Sequence, residues 1–315
     1  MKCVDCGIVA GPNSTFLIEK LIIISEKLSN NKITWYICKD NLHDKFAYNP
    51  DKKYKKWHNT NNFTNLQKME NVIFTEPLEN NEASGGDRHG LGIDILIKHL
   101  KNKKKIIILE PDSFPCYLGW DDVLLSKIKN NIVCATMNIR GHLNKKNFFY
   151  DNVHTPYMGD VGFFAVNPKI LFNLKTTYSK TVYPEYAIDL KKNEAMFKQF
   201  EINGGNNRII MDDISKKIFK LPINTSMVKE VGWRIAIPLF KNNYDCFEFD
   251  AFYLKIKDIN APIQIFYHEE KPLFYHFMFS RYFNEKTFKS KIQNTIDYLS
   301  HSLDGEVIKL FDSIL

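Results

Sequence analysis

The sequence predicts an α/β fold: a mainly parallel central sheet with helices on both faces, followed by an elaborated C-terminal half. Two observations predict it. Strand-like and helix-like segments alternate from Cys3–Ala10 to Ile106–Leu109, and such alternation favours parallel strands joined by crossover helices. After about residue 130 the alternation of strand-like and helix-like segments becomes irregular, and a β-rich, aromatic stretch covers 244–279.

The first four elements follow from local pattern. The strand at Cys3–Ala10 ends in the turn Gly11-Pro12-Asn13. Ser14 is the predicted N-cap of a helix over 15–28, whose apolar residues recur with helical spacing. The segment ITWYIC at 33–38 is rich in β-branched and aromatic residues and predicts the second strand. A short third strand is expected at 71–75.

The next elements lead into the second half of the chain. A helix opens around Gly85–Gly92 and runs to about His99, before the strand at 105–109. Further strands are expected at 132–137 and 161–166, and closing helical segments from about Glu285. No Pro/Gly-rich linker splits the chain. We therefore expect one domain, with a half at 1–130 and an elaborated half at 131–315.

Composition limits the classes of protein to which this chain can belong. The chain has 315 residues, of which 44% are hydrophobic, enough for a sizeable core. Its net charge is +7, and the lysines lie in short runs mixed with Asn, which is typical of solvated faces. No apolar run reaches the ~18–20 residues of a membrane span, and the N-terminal segment does not resemble a signal peptide. We expect a soluble, cytoplasmic protein without a membrane span.

The six cysteines predict reduced thiols rather than a metal ribbon. Cys3 and Cys6 have CxxC spacing, but no second CxxC or CxxH pair follows. On a strand, positions three apart point to opposite faces, so these two thiols should not share a ligand.

Carboxylates follow a predicted strand that contains four consecutive aliphatic residues. Glu110-Pro111-Asp112 comes directly after Ile106–Leu109, and a parallel sheet binds ligands at the carboxyl ends of its strands. If the backbone turns at Pro111, both carboxylates converge on one cation. Hard oxygen ligands suit Mg²⁺ or Mn²⁺ accompanied by substrate phosphates. The alternative is a strand end capped by acids for solubility.

Several blocks, taken in order, resemble the GT-A glycosyltransferases, above all the large family 2 group. They cover roughly residues 5–280 and consist of IVAGPN, ITWYICKDN, NNEASGGDRHGLGIDILIKHL, IIILEPD, MGDVGFFAVNPKILF and RIIMDDISKKI. The resemblance implies a GT-A (Rossmann-like) sheet. The metal motif departs from the family pattern, because Glu-Pro-Asp stands where Asp-x-Asp is usual. Asp112 is therefore the expected metal ligand, while Glu110 acts through water or binds the ribose.

The resemblance and the local chemistry together assign the donor side. By the resemblance, Pro12 and Asn13 would lie in the first nucleotide-binding loop, and Asp40 would contact the nucleoside. Further donor contacts are expected from residues at the mouth of the helix that opens at Gly85, namely Gly86, Arg88 and His89. Trp120 would offer a flat face to a sugar ring, although tryptophans are more often core residues.

The acceptor side and the late metal ligand are assigned less directly. Asp212, Asp213 and, as third choice, Asp160 are candidates for the general base; the first two are equally explained as helix N-terminal acids. The resemblance implies a late histidine among the metal ligands; His276 is the expected one, with His268 as the other candidate. Either histidine is equally explained as a hydrogen-bonded core residue.

The implied reaction moves one sugar from a nucleotide-sugar donor, with a UDP-sugar favoured, to a hydroxyl of a glycan, lipid or protein acceptor. It depends on Mn²⁺ or Mg²⁺ and inverts the anomeric centre. No QxxRW signature of processive synthases is present, which favours single transfer. Three alternatives remain: a sugar nucleotidyltransferase, a non-catalytic protein with a glycosyltransferase-like fold, and a basic nucleic-acid-binding protein. Dispersed basic residues argue against nucleic acid as a partner.

Overall fold

The computed structural model describes residues 2–12, 14–41, 61–79, 85–137, 162–175, 242–254, 263–277 and 303–314, with the strand segments 153–154, 197–202, 206–211 and 226–228 and a few isolated positions. Its helices are α1 Thr15–Leu28, α2 Gly85–His99, α3 Trp120–Lys127, α4 Pro168–Asn173 and α5 Gly305–Ile314. Its strands are β1 Cys3–Ala10, β2 Lys32–Lys39, β3 Val72–Phe74, β4 Ile106–Leu109, β5 Ser113–Pro115, β6 Ile132–Met137, β7 Val153–His154, β8 Phe163–Val166, β9 Phe197–Ile202, β10 Asn206–Met211, β11 Ser226–Val228, β12 Asp245–Leu254, β13 Ile263–His268 and β14 Lys271–Phe277.

Among the described residues, ten strands form the main sheet, in the order β3-β2-β1-β4-β8-β6-β12-β13-β14-β5. The strands from β3 to β4 are mutually parallel, and β6 pairs parallel with β12. Pairing is antiparallel where β8 is inserted and from β12 to β5. The predicted α/β class is confirmed. The parallel pairing is concentrated in the half of the sheet that is built by strands from the N-terminal part of the chain.

Helices cover both faces of this sheet, as predicted. Alternate residues of β4 divide between two apolar clusters, Ile107 and Leu109 on the side of α1, and Ile106 and Ile108 on the side of α2. A strand buried on both faces needs an unbroken apolar run, which IIIL provides. On the α2 side the helix approaches β1 closely at Gly92, where a Cβ atom would lie 2.5 Å from Val9 Cγ1.

At the start of α1, local sequence pattern predicts where the helix begins, but a tertiary contact supplies the hydrogen bonds to its first N–H groups. Ser14 occupies the predicted N-cap, but its hydroxyl donates to the Gly11 carbonyl at 2.6 Å and does not cap the helix. The Asn61 side-chain oxygen instead accepts from the backbone N–H groups of Ser14 at 2.8 Å and Thr15 at 3.1 Å. A residue distant in sequence therefore satisfies these first donors of the helix.

The cysteines behave as the sequence predicts. Cys3 is exposed and Cys6 is buried, so the two thiols of the CxxC segment lie on opposite faces of β1, and all six cysteines are free. Burial raises the pKa of Cys38 to about 12.

A second, smaller sheet has the order β7-β11-β10-β9. None of its four strands was predicted from the sequence, and neither was the short β5 of the main sheet. Among the described residues, no helix combines the length and the apolar character needed to cross a bilayer.

Candidate functional site

The turn after β4 brings two carboxylates together. The Glu110 N–H donates to the Gly162 carbonyl at 2.8 Å, and the Ser113 N–H donates to the Glu110 carbonyl at 3.0 Å. The second bond closes a tight turn around Pro111, after which the chain enters β5. The backbone reversal that convergence of the two acids requires is therefore present, at the carboxyl end of a parallel strand.

Glu110, Asp112 and His276 form a compact cluster in which one ligand atom of each residue lies within 4.8 Å of the others. His276 Nε2 is 2.8 Å from Glu110 Oε2 and 3.5 Å from Asp112 Oδ1. Asp112 and His276 are only 8% and 4% exposed, while Glu110 is half-buried. Such a set of two carboxylates and one imidazole can hold a divalent cation.

Strand pairing explains how a residue so late in the chain reaches this turn. Strand β5 continues directly from Asp112 and pairs antiparallel with β14, so that His276 stands opposite Ser113. The Phe277 N–H also donates to the Asp112 carbonyl at 3.0 Å. The register of β14 thus fixes His276 beside the two acids.

Two further residues hold the His276 ring. Gln264, fully buried on β13, stands opposite His276 in the strand register, and its Oε1 pairs with His276 Nδ1. Gly162 lies against the ring: a Cβ atom there would be 2.9 Å from Nδ1 and 3.1 Å from Cγ. The ring is therefore held at Nδ1, backed by a glycine, and directed with Nε2 towards the carboxylates.

The first turn of α2 connects this cluster to the end of β2. Arg88 donates through Nε to Asp40 Oδ1 at 2.9 Å and Oδ2 at 3.0 Å, and its Nη2 also contacts Asp40. Both residues are buried. The neighbouring His89 places Nε2 3.2 Å from Glu110 Oε1, close but not aligned as a hydrogen bond. Two consecutive residues of one helix therefore reach the ends of two parallel strands.

The structure separates the two late histidines. His276 joins the carboxylates, whereas His268 lies at the other end of the β13–β14 hairpin, 3.7 Å from Glu269 and edge-on to Tyr117. Burial, with Lys127 acting in the same direction, lowers the pKa of His268. Of these two histidines, His276 therefore has the geometry of a metal ligand in the part of the chain that the structure describes.

The expectation for Trp120 is wrong. Its side chain is fully buried, its Nε1 donates to the Ser25 carbonyl at 3.0 Å, and it packs edge-on against Phe274 at 5.4 Å between ring centroids. A ring enclosed in the core has no face to offer a sugar, so Trp120 is a core residue, as tryptophans more often are.

Other predicted residues differ in how far the structure describes them. Pro12 lies half-buried in the turn after β1, and Gly86 belongs to the first turn of α2. Four predicted residues lie outside the described residues, namely Asn13, Asp160, Asp212 and Asp213.

Sequence reasoning missed Gln264 and Gly162. The signal for Gln264 was present, because it is the one strongly polar residue in the first four positions of the strand IQIFYH, all of which are buried. A buried amide is costly unless it is hydrogen-bonded, so its position indicates a polar partner. Gly162 gave no such signal, since its contact with His276 depends on a strand more than a hundred residues later.

No protein-family model matches this chain, and no curated protein matches it. Solved structures similar to it include the apo form of the bifunctional glycosyltransferase WbbM, with 11% identity and a TM-score of 0.38 over 78% of this chain and 38% of WbbM. Another is the mannosyltransferase PcManGT from Pyrobaculum calidifontis in complex with GDP-Man and Mn²⁺, with 10% identity and a TM-score of 0.37 over 60% of this chain and 51% of that one.

A third similar structure is the glycosyltransferase GlyE from Streptococcus pneumoniae TIGR4, with 13% identity and a TM-score of 0.36 over 70% of this chain and 44% of GlyE. All three are glycosyltransferases, the class of protein that the sequence motifs resemble. The matched part is about half or less of the length of each of these proteins.

Proposed function

We propose that this chain is a metal-dependent glycosyltransferase that moves one sugar from a nucleotide-sugar donor, with a UDP-sugar favoured, to the hydroxyl of a glycan, lipid or protein acceptor. One observation chiefly supports the proposal: Glu110, Asp112 and His276 meet at the carboxyl end of β4. In an open α/β sheet this is the edge at which ligands bind.

The residues of the cluster fit a divalent cation. Gln264 presents an acceptor oxygen to Nδ1 of His276, so Nδ1 carries the proton and, in the neutral ring, the lone pair of Nε2 points at two carboxylates. Acceptors that face one another are stabilised by a cation or a proton between them. Carboxylate and imidazole ligands together suit Mn²⁺, and Mg²⁺ is the alternative.

In this proposal Asp112 and His276 hold the cation and Glu110 completes the set. A bound divalent cation would neutralise the charge that develops on the departing diphosphate. The N-terminus of α2 lies beside the cluster, since its residue His89 approaches Glu110, and helix N-terminal N–H groups favour phosphate. We therefore assign phosphate binding to the start of α2.

We assign Asp40 to contact with the nucleoside. For Arg88 the contacts support a role different from the donor contact that its sequence position suggests. Because Arg88 donates through Nε to both oxygens of the Asp40 carboxylate and also contacts it through Nη2, it neutralises and orients that carboxylate. A buried, oriented carboxylate can then accept hydrogen bonds from a base or ribose with little reorganisation.

Transfer itself needs a nucleophile, a base and a leaving group. The acceptor oxygen attacks the anomeric carbon as the bond to the donor phosphate oxygen breaks, and that electron pair leaves with the nucleoside diphosphate. The hydroxyl proton passes to a carboxylate, for which Asp212, Asp213 and Asp160 are our candidates. Attack opposite the leaving group inverts the anomeric centre. We assign residues 1–130 to the donor and 131–315 to the acceptor, apart from His276, which belongs to the metal site.

Donor turnover tests this proposal. The protein is incubated with UDP-, GDP- and dTDP-sugars, with and without Mn²⁺, and release of nucleoside diphosphate is measured. We expect release from one class of donor, lost on chelation with EDTA. The substitution His276→Ala should reduce release at least ~100-fold, whereas His268→Ala, a matched histidine on the neighbouring strand, should leave it near wild type.

Two results would contradict the proposal. One is the absence of nucleoside diphosphate release and of metal-dependent thermal stabilisation with every donor in the presence of Mn²⁺. The other is pyrophosphate release from a nucleoside triphosphate and a sugar phosphate, which would identify a nucleotidyltransferase.

A further inference from the structure

We infer that Gln264 is a positioning residue for the metal site, and that it acts by holding His276 in the tautomer and orientation in which Nε2 is the ligand atom. The inference rests on the proposed function and deepens it. Gln264 lies on β13 opposite His276 on β14 and is fully buried. Its Oε1 pairs with His276 Nδ1, on the side of the ring away from Glu110 and Asp112.

The chemistry of the pair follows from its atoms. A carboxamide oxygen only accepts hydrogen bonds, so the Nδ1 that faces it donates, and the lone pair of the neutral ring is confined to Nε2. Nε2 is the atom that lies 2.8 Å from Glu110 and 3.5 Å from Asp112. An acceptor on the second nitrogen also makes the first more basic and fixes the plane of the ring.

Gly162 limits where the His276 ring can lie. The glycine backs the ring closely enough that a Cβ atom would lie 2.9 Å from Nδ1, so it sets where the ring lies. It contributes no side chain that could replace the acceptor at Nδ1. The hydrogen bond from Nδ1 therefore selects the tautomer, while the glycine limits displacement.

The burial of Gln264 argues against a packing role. Its neighbours Ile263, Ile265 and Phe266 on β13 are buried and apolar. An apolar side chain at position 264 would fit that pattern without the cost of desolvating an amide. The imidazole of His276 is a hydrogen-bonding partner that recovers this cost.

Metal binding, measured without substrate, tests the inference. Mn²⁺ is titrated into the full chain and free Mn²⁺ is followed by electron paramagnetic resonance; pulsed measurements on bound Mn²⁺ report coupling to a ligating imidazole nitrogen. Gln264→Leu removes the acceptor and should raise the Mn²⁺ Kd about 10- to 100-fold and weaken the nitrogen coupling. Gln264→Met serves in its place if the Leu variant does not fold.

Two controls separate positioning from stability. Gln264→Glu keeps an acceptor oxygen for Nδ1 and should restore both the affinity and the nitrogen coupling. Ile33→Ala, a buried position at the start of β2, lowers stability without touching the cluster and should leave the Mn²⁺ Kd unchanged.

The outcomes distinguish this inference from the proposed function. If Asp112→Asn and His276→Ala weaken Mn²⁺ binding but the folded Gln264→Leu or Gln264→Met protein binds Mn²⁺ like wild type with the same nitrogen coupling, the positioning role is refuted and the metal site stands. If wild type binds no Mn²⁺, both are refuted. Weaker binding and reduced coupling in the apolar variants, with recovery in Gln264→Glu, support the role.

Discussion

Two pairs of acids lie in one stretch of this chain, Glu110 with Asp112 and Asp121 with Asp122, and the structure puts them to different uses. Asp121 is fully buried and accepts from the Ser29 hydroxyl at 2.6 Å, the Asn31 side chain at 2.7 Å and the Asn30 N–H at 3.2 Å. Around the first pair the notable neighbour is an imidazole nitrogen, His276 Nε2.

The comparison teaches that the partners of a carboxylate, more than its sequence context, indicate what it does. Asp121 and Asp122 are held by neutral donors from the loop after α1 and sit in the first turn of α3, where they also complement the helix dipole. That pair ties two elements together. Glu110 and Asp112 instead surround a position suited to a cation, and the following predictions sharpen this distinction.

The largest effect is expected from Asp112→Asn. The change removes a charged ligand while keeping size and shape, so we expect Mn²⁺-dependent donor turnover to fall at least ~100-fold, or about 2.7 kcal/mol in activation free energy. The measurement is nucleoside diphosphate release at saturating Mn²⁺. Asp312→Asn, an exposed acid on α5, is the control, and equal turnover in the two variants would overturn the metal role.

Asp121→Ala should have the next largest effect, on stability instead of turnover. The loop at 29–31 loses the acceptor of three donors, and hydrogen bonds to a charged group are the stronger kind, so we expect the free energy of unfolding to fall by about 2 kcal/mol. Urea unfolding measures this. Turnover per folded molecule should stay near wild type; a loss as large as that of Asp112→Asn would erase the contrast between the two pairs.

Gly162→Ala should have an intermediate effect on metal binding. The new methyl group overlaps Nδ1 and Cγ of His276, so the ring must shift relative to the carboxylates. We expect the Mn²⁺ Kd to rise about tenfold, which corresponds to about 1.4 kcal/mol. Gly305→Ala is the matched control, because nothing lies within 4 Å of its Cβ position. Unchanged Mn²⁺ affinity in Gly162→Ala would show that the ring position is not critical.

The smallest effect is expected from Asp122→Ala. This side chain is exposed, and its two hydrogen bonds come from Asn30 and Asn31 at 3.0 and 2.9 Å. Exposed polar pairs contribute little, so the free energy of unfolding should change by less than about 1 kcal/mol, and turnover should not change. Urea unfolding beside Asp121→Ala checks both values, and a larger loss than that of Asp121→Ala would reverse the assignment within the pair.

Much of the N-terminal half was predictable from local pattern. The bounds of β1 and α1 agree with the sequence prediction, and those of β2, β3 and β4 differ by a residue or two; just beyond this half, the bounds of β6 agree as well. These segments are regular and strongly apolar, so periodicity specifies them. The short β5 escaped prediction because three residues carry no period, and its strand character depends on pairing with β14.

The candidate site was predicted in part. Glu110 and Asp112 follow from their place after a buried strand. The resemblance to GT-A enzymes suggested a late histidine ligand, and the apolar aromatic run favoured His276 over His268. Trp120 misled, because an aromatic residue in a core and one in a pocket look the same in sequence. The Arg88–Asp40 pair was not foreseen either, although both residues were assigned to the donor side, because sequence does not show that α2 begins beside the end of β2.

The sequence by itself determined the alternation of strands and helices, the buried β4 and the acids that follow it, because these are properties of neighbouring residues. Only the tertiary structure decided that His276 and Gln264 join those acids. Their approach depends on the register of β13, β14 and β5, because a one-residue slip of a strand would turn its side chains to the other face of the sheet. Local chemistry therefore placed the carboxylates, and long-range strand pairing completed the site around them.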